Sequence, residues 1–138
     1  MAAAIGAIAQ IAAAQQAAQA HRASGQAEAV ALRDKAEQAE NKAQDEEILR
    51  LQNIRRTIST QRAYWAAAGI DPSTGSPDTI ASRSYETFEL DQGAALINTR
   101  SQIRSYNKSA DAAIRISNIK ARGSLLSGAM GAAQTWNT

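Results

Sequence analysis

The stretch Arg62-Ala63-Tyr64-Trp65-Ala66-Ala67-Ala68-Gly69-Ile70-Asp71-Pro72-Ser73-Thr74-Gly75-Ser76-Pro77-Asp78 decides the fold. Gly69 can take the left-handed conformation that closes a helix, with Ile70 folding back onto the last turn. Pro72 pushes Asp71 toward extended geometry, so the helix cannot run on. Ser76 predicts an N-cap and Pro77 a first helical position, and Asp78 sits beside the positive end of a new helix. Every local rule agrees on helix, turn over 69–76, helix.

Working outward, the chain from Gln26 to Ala68 contains neither glycine nor proline, which predicts a long helix over 25–68. Glu28 to Arg50 is dense in both charges, with Arg33–Glu37 and Glu46–Arg50 four residues apart on one face. Ile48, Leu51, Ile54, Ile58 and Trp65 then form a broken apolar stripe at three-to-four spacing. Beyond the turn, a second helix is predicted over 77–122. Its apolar positions include Ile80, Phe88, Ala95, Leu96, Ile103, Tyr106, Ala110, Ala113 and Ile114. Several of these differ by three, four or seven, as in a helix-pair seam. The predicted helix–helix interface is therefore Ile48, Leu51, Ile58 and Trp65 against Phe88, Leu96, Ile103 and Tyr106. Gly93 is the one weak point of the second helix.

Two small-residue ends flank this hairpin. Residues 1–24 form an Ala-rich helix with Ile5, Ile8 and Ile11 spaced by three, and 123–138 carries Leu125, Leu126 and Met130 among Gly, Ser and Ala. A secretory leader fits the first segment poorly, because no Lys or Arg precedes the apolar run, although Ala18-Gln19-Ala20 has the form of a cleavage site. A membrane span fits poorly too, since about fourteen residues precede the Gln-rich part against the ~20 that a crossing needs. An Ala-rich helix packing on other helices is the better reading. An antiparallel hairpin would bring both ends to one pole, away from the turn.

Composition limits what such a molecule can be. The hydrophobic fraction is 44% over 138 residues, but most of it is alanine, and aromatic residues make up 4%. A buried Ala contributes far less than the ~1.5–3 kcal/mol of a buried Leu or Ile. The expected fold is thus all-α, a long antiparallel helical hairpin completed by oligomeric bundle or ring packing. Cysteine is absent and His21 is the sole histidine, which leaves no thiolate metal site and no pair of histidine ligands. No nucleophile–base constellation, phosphate loop or isolated carboxylate pair is present, so neither catalysis, a cofactor nor a small-molecule substrate is expected. The formal charge of +2 is too small to argue strongly for nucleic acid. Weak, non-specific DNA contact through Arg55-Arg56 and the basic half of the second helix is the most it implies.

The turn and its flanks also resemble a pattern in small internal virion proteins of tailed bacteriophages, the ejected core components of short-tailed phages. That pattern has Ala-rich ends, a Gln/Ala/Glu helix, an Arg-started Ala-Ala-Gly-hydrophobic-Asp turn, then Gly-Ser and a second helix. Arg62, Ala67, Gly69, Asp71, Gly75 and Ser76 are the matching positions, and Ile97-Asn98-Thr99-Arg100 is similar to part of the second helix of that family. This chain departs in its short C-terminus and its lack of a long basic tail. The resemblance implies a homo-oligomer inside the capsid, at the portal or in the tail lumen, contacting other core, portal or tail proteins. It further implies exit with the genome to form a conduit through the host envelope. Ile5, Ile8, Ile11, Leu125, Leu126 and Met130 would then be the membrane-facing or channel-lining end, with Gln10, Gln15, Gln16 and Gln19 on a wet lumen. The alternatives are a permanent structural sleeve or adaptor of the portal or tail, and a cellular helical-hairpin adaptor.

Overall fold

The computed structural model describes Ala2–Trp136, with side chains described from Gly6 to Gln134. Two helices account for nearly all of it: α1, Ala2–Ala67, and α2, Ser76–Trp136. No strand occurs among the described residues.

The turn closes α1 through two backbone hydrogen bonds. Gly69 N donates to Ala66 O at 3.0 Å and Ile70 N donates to Trp65 O at 3.0 Å. This pairing of a five-to-two and a six-to-one bond needs a left-handed residue after the helix, and Gly69 supplies it with φ 74°. Asp71 then organises the loop, its Oδ1 accepting from Ser73 N at 2.9 Å and from Ser73 Oγ at 2.6 Å. The start of α2 differs from the expectation by one residue. Gly75 O accepts the first helical bond, from Thr79 N at 3.2 Å, which puts Gly75 (φ 68°) at the cap and Ser76 inside the helix. Thr79 Oγ1 donates to the same carbonyl at 3.1 Å. A glycine able to adopt positive φ wins the cap over the serine after it.

Both helices run past the residues at which the sequence divides their outer segments, 25 and 122. The Ala-rich segment is helical, and α1 passes from it through Gly25 without a break. At the other end, α2 passes through Gly123, Gly128 and Gly131 as far as Trp136. Gly25 and Gly128 lie against the facing helix: a Cβ at Gly25 would overlap Ser117, and one at Gly128 would overlap Ala14. At these sites close packing offsets the ~1 kcal/mol that glycine costs a helix.

The chain forms two compact units. Unit 1 is Met1–Ala36 with Arg104–Thr138; unit 2 is Glu37–Ile103, including the turn. In unit 1 the segments run antiparallel, Gln10 beside Gly131, Ala14 beside Gly128, Gly25 beside Ser117, and Arg33 Nη2 at 3.7 Å from Asp111 Oδ1. In unit 2 Gln92 of α2 donates to Glu47 of α1 across the pair.

Covered positions recur every eleven residues rather than every seven. In unit 1 these are Ala7, Ala18 and Ala29, and Ala14, Gly25 and Ala36, on α1, facing Ala110, Ala121 and Ala132 on α2. In unit 2 they are Ala43, Ile54 and Trp65 on α1, and Pro77, Phe88 and Thr99, with Ala81, Gln92 and Ile103, on α2. Eleven residues in three turns is about 3.67 per turn, close to the 3.6 of an undistorted helix, whereas a strict heptad imposes left-handed supercoiling.

What fills these seams is small. Among the described residues the buried apolar side chains are nine alanines, Ile58 and Pro77. Large apolar residues face outward instead, including Ile8, Leu90, Ile97, Ile119, Leu126 and Met130.

Candidate assembly surfaces

The predicted interface residues separate into two groups. Ile58 is buried, and Leu51, Trp65, Phe88 and Ile103 are half-buried in the seam of unit 2. Tyr106 is half-buried as well but belongs to unit 1. Ile48 and Leu96 do not enter the seam; they are 53% and 41% exposed. Their place is taken by a polar layer, Glu47 with Gln92, both half-buried. Glu47 and Gln92 also line a groove together with Ala43, Ala95, Leu96, Ile103 and Arg50. Glu46 is tied along its own helix, to Arg50 Nη2 at 3.4 Å and Lys42 Nζ at 3.9 Å, an exposed network worth a few tenths of a kcal/mol per pair.

Of the apolar ends, Ile8, Ile11, Leu125, Leu126 and Met130 are exposed, while the side chain of Ile5 lies outside the described residues. Both end segments belong to unit 1, where Gln10 and Ala14 pack on Gly131 and Gly128. No helix among the described residues is long and apolar enough to cross a membrane. In the turn motif, Gly69 and Gly75 hold positive φ and Asp71 accepts from Ser73, whereas Arg62 and Ala67 are exposed on the last turns of α1. The two Ser73 hydrogen bonds, side chain first and backbone second, hold the Asp71 carboxyl below its usual value of 3.8.

His21 is half-buried in unit 1, beside Ser117 and Lys120. Among the described residues no three His, Cys, Asp or Glu side chains gather as metal ligands.

Sequence reasoning missed the outward-facing Leu90, Ile97, Ile116 and Ile119, and the close-packed Gly25 and Gly128. An eleven-residue scan of small residues would have found the glycines, because each lies on a repeat with buried alanines or serine. The exposed residues carry no such signal, since an exposed and a buried isoleucine read alike in a helix.

Comparison with protein families, with curated proteins and with solved structures finds no match to this chain.

Proposed function

We propose that this chain is a non-enzymatic assembly subunit, an internal virion protein of a tailed phage that lines the portal or tail lumen and leaves with the genome to build a conduit through the host envelope. One observation carries the assembly part: alanine fills the seams while the large apolar residues face outward. A chain that buries little but methyl groups gains little from folding alone and gains more when neighbours cover Ile8, Leu90 or Leu126. The phage part is supported by the turn motif, whose Gly69, Asp71 and Gly75 each have a structural task.

Such helix pairs suit passage through a narrow channel, because alanine seams open at low cost and re-form without large side chains having to interlock. In the conduit, the Gln side chains of residues 10–19 face water, and the exposed Ile and Leu residues of unit 1 face neighbouring subunits or lipid.

Quantifying the protein in purified particles before and after DNA release tests the reading. The expected result is presence before release and loss after it. Retention in emptied particles identifies a permanent sleeve, and absence from particles overturns the phage assignment. Ile8→Asp together with Leu126→Asp separates the roles further: particles should package DNA normally yet lose infectivity and dye release from host-derived vesicles.

A further inference from the structure

Two outward faces of α2 share a layout and carry opposite charge beside their glycines. In unit 2, Leu90 and Ile97, 75% and 67% exposed, lie on the side of α2 away from the seam, with Gly93 between them, Glu86 and Glu89 alongside, and Arg83 and Arg100 one turn beyond at either end. In unit 1, Ile119 and Leu126, 69% and 65% exposed, repeat the arrangement with Gly123 between them and Arg115 and Arg122 alongside. Spacings of three, four and seven place each set on a single helix face. Nothing stands within 4 Å of where a Cβ would sit at Gly93 or at Gly123, unlike Gly25 and Gly128. Neither glycine therefore serves packing inside the chain. The charge division extends beyond these residues: unit 1 has eight Lys and Arg against three Asp and Glu, net +5, and unit 2 has seven against ten, net −3.

We propose that the Leu90–Gly93–Ile97 face docks onto the Ile119–Gly123–Leu126 face of a second copy of this chain. The glycines let the two backbones approach closely while the flanking Leu and Ile side chains cover one another. Glu86 and Glu89 then meet Arg115 and Arg122, so unlike faces attract and like faces repel. A lipid surface accounts for less. Anionic headgroups would take the Arg115 face but repel the Glu86 face and leave Leu90 and Ile97 uncovered. A second copy covers both. The proposal deepens the assembly reading and rests on it, because it names the partner and the faces.

Sedimentation of the full chain over a range of concentration and salt provides the test. The wild type should self-associate at low salt and less so at high salt. Reversing the acidic side (Glu86→Arg with Glu89→Arg) or the basic side (Arg115→Glu with Arg122→Glu) should each weaken association roughly tenfold or more, with unchanged helix content, because attraction becomes repulsion. An equimolar mixture of the two variants should recover association, since the reversed face of one fits the reversed face of the other. Gly93→Leu should keep the helix and lose association. A wild type that stays monomeric, reversed variants that associate as the wild type does, or a mixture without recovery each overturn the proposal. Should the wild type associate and every variant associate equally, the faces are misassigned while the assembly reading stands. Should the wild type stay monomeric and bind phosphatidylserine vesicles through Arg115 and Arg122, the basic face belongs to a membrane.

Discussion

Substituting Gly25→Ala should destabilise the protein even though it places a better helix former in the middle of a helix. By propensity alone the change favours the helix by about 1 kcal/mol. The new Cβ, however, would overlap Ser117 Cβ and Oγ and stand 3.1 Å from Ala113 O. Restoring ordinary contacts of about 3.5–4.0 Å between carbons requires the helices to part by on the order of 1 Å. Ser117 cannot swing aside cheaply, because its Cβ is fixed to the backbone and its Oγ donates to Ile114 O at 2.8 Å. Overpacking costs about 1–3 kcal/mol, and overlap with a fixed Cβ belongs at the upper end, about 2–3 kcal/mol, so a net loss of about 1–2 kcal/mol is expected after the propensity gain. At roughly 0.3 kcal/mol per degree for a chain of this size, the melting temperature should fall by about 3–6 °C. Gly93→Ala is the matched control: its Cβ meets nothing, so it should stabilise by about 0.5–1 kcal/mol. Thermal and urea unfolding followed by circular dichroism, in high salt and at low protein concentration, gives both numbers. A double-mutant cycle with Ser117→Gly should return a favourable coupling of about 1–3 kcal/mol. Equal stabilisation by Gly25→Ala and Gly93→Ala, or zero coupling to Ser117, would refute the close approach of the helices in unit 1.

Three further outcomes are expected from the same structure. Ile58→Ala should cost about 2–4 kcal/mol in denaturant unfolding, as the one buried isoleucine or leucine among the described residues, whereas Leu90→Ala in the dilute monomer should stay within about 0.5 kcal/mol. Gly69→Ala should cost about 1–2 kcal/mol because it forces an L side chain to φ 74°, and Gly69→Asn should cost less; equal stability of all three chains argues against the left-handed closure. Asp71 has a depressed carboxyl, so its stabilising contribution is present above the usual carboxylate pKa near 3.8 and is lost as the pH falls through the lower folded value. In an NMR titration Ser73→Ala should move Asp71 back up toward the ordinary value, and an unchanged midpoint would contradict the hydrogen-bond cause.

The assembly reading and the packing pattern share one physical origin. An alanine seam lets helix backbones approach closely, as Gly25 against Ser117 and Gly128 against Ala14 illustrate, but it yields little free energy per residue. The large apolar groups left outside are then available to neighbours. The Glu47–Gln92 layer suits the same design, since a polar pair at one level penalises sliding of α1 along α2 in unit 2.

The turn was legible from sequence because its rules are local. Gly69, Asp71, Pro72 and Gly75 act on φ angles and hydrogen bonds within a few residues, and no distant partner is needed to interpret them. The absence of strands among the described residues was equally legible, since alternation of β-branched and aromatic residues would have to be visible in the chain itself. The N-cap was misplaced by one residue, for serine and glycine compete there and only the carbonyl that accepts from Thr79 N decides between them. The reach of the helices into both ends was less legible, for a different reason. Gly25, Gly123, Gly128 and Gly131 look like breaks by propensity, yet Gly25 and Gly128 are covered by the facing helix, and packing outweighs a propensity deficit of about 1 kcal/mol. Which of the many Ile and Leu residues face inward was likewise beyond the sequence. With apolar residues on several faces, only the antiparallel pairing, with Ala14 on Gly128 and Glu47 on Gln92, selects the eleven-residue stripe that the chain covers and leaves Leu90, Ile97, Ile119 and Leu126 outside.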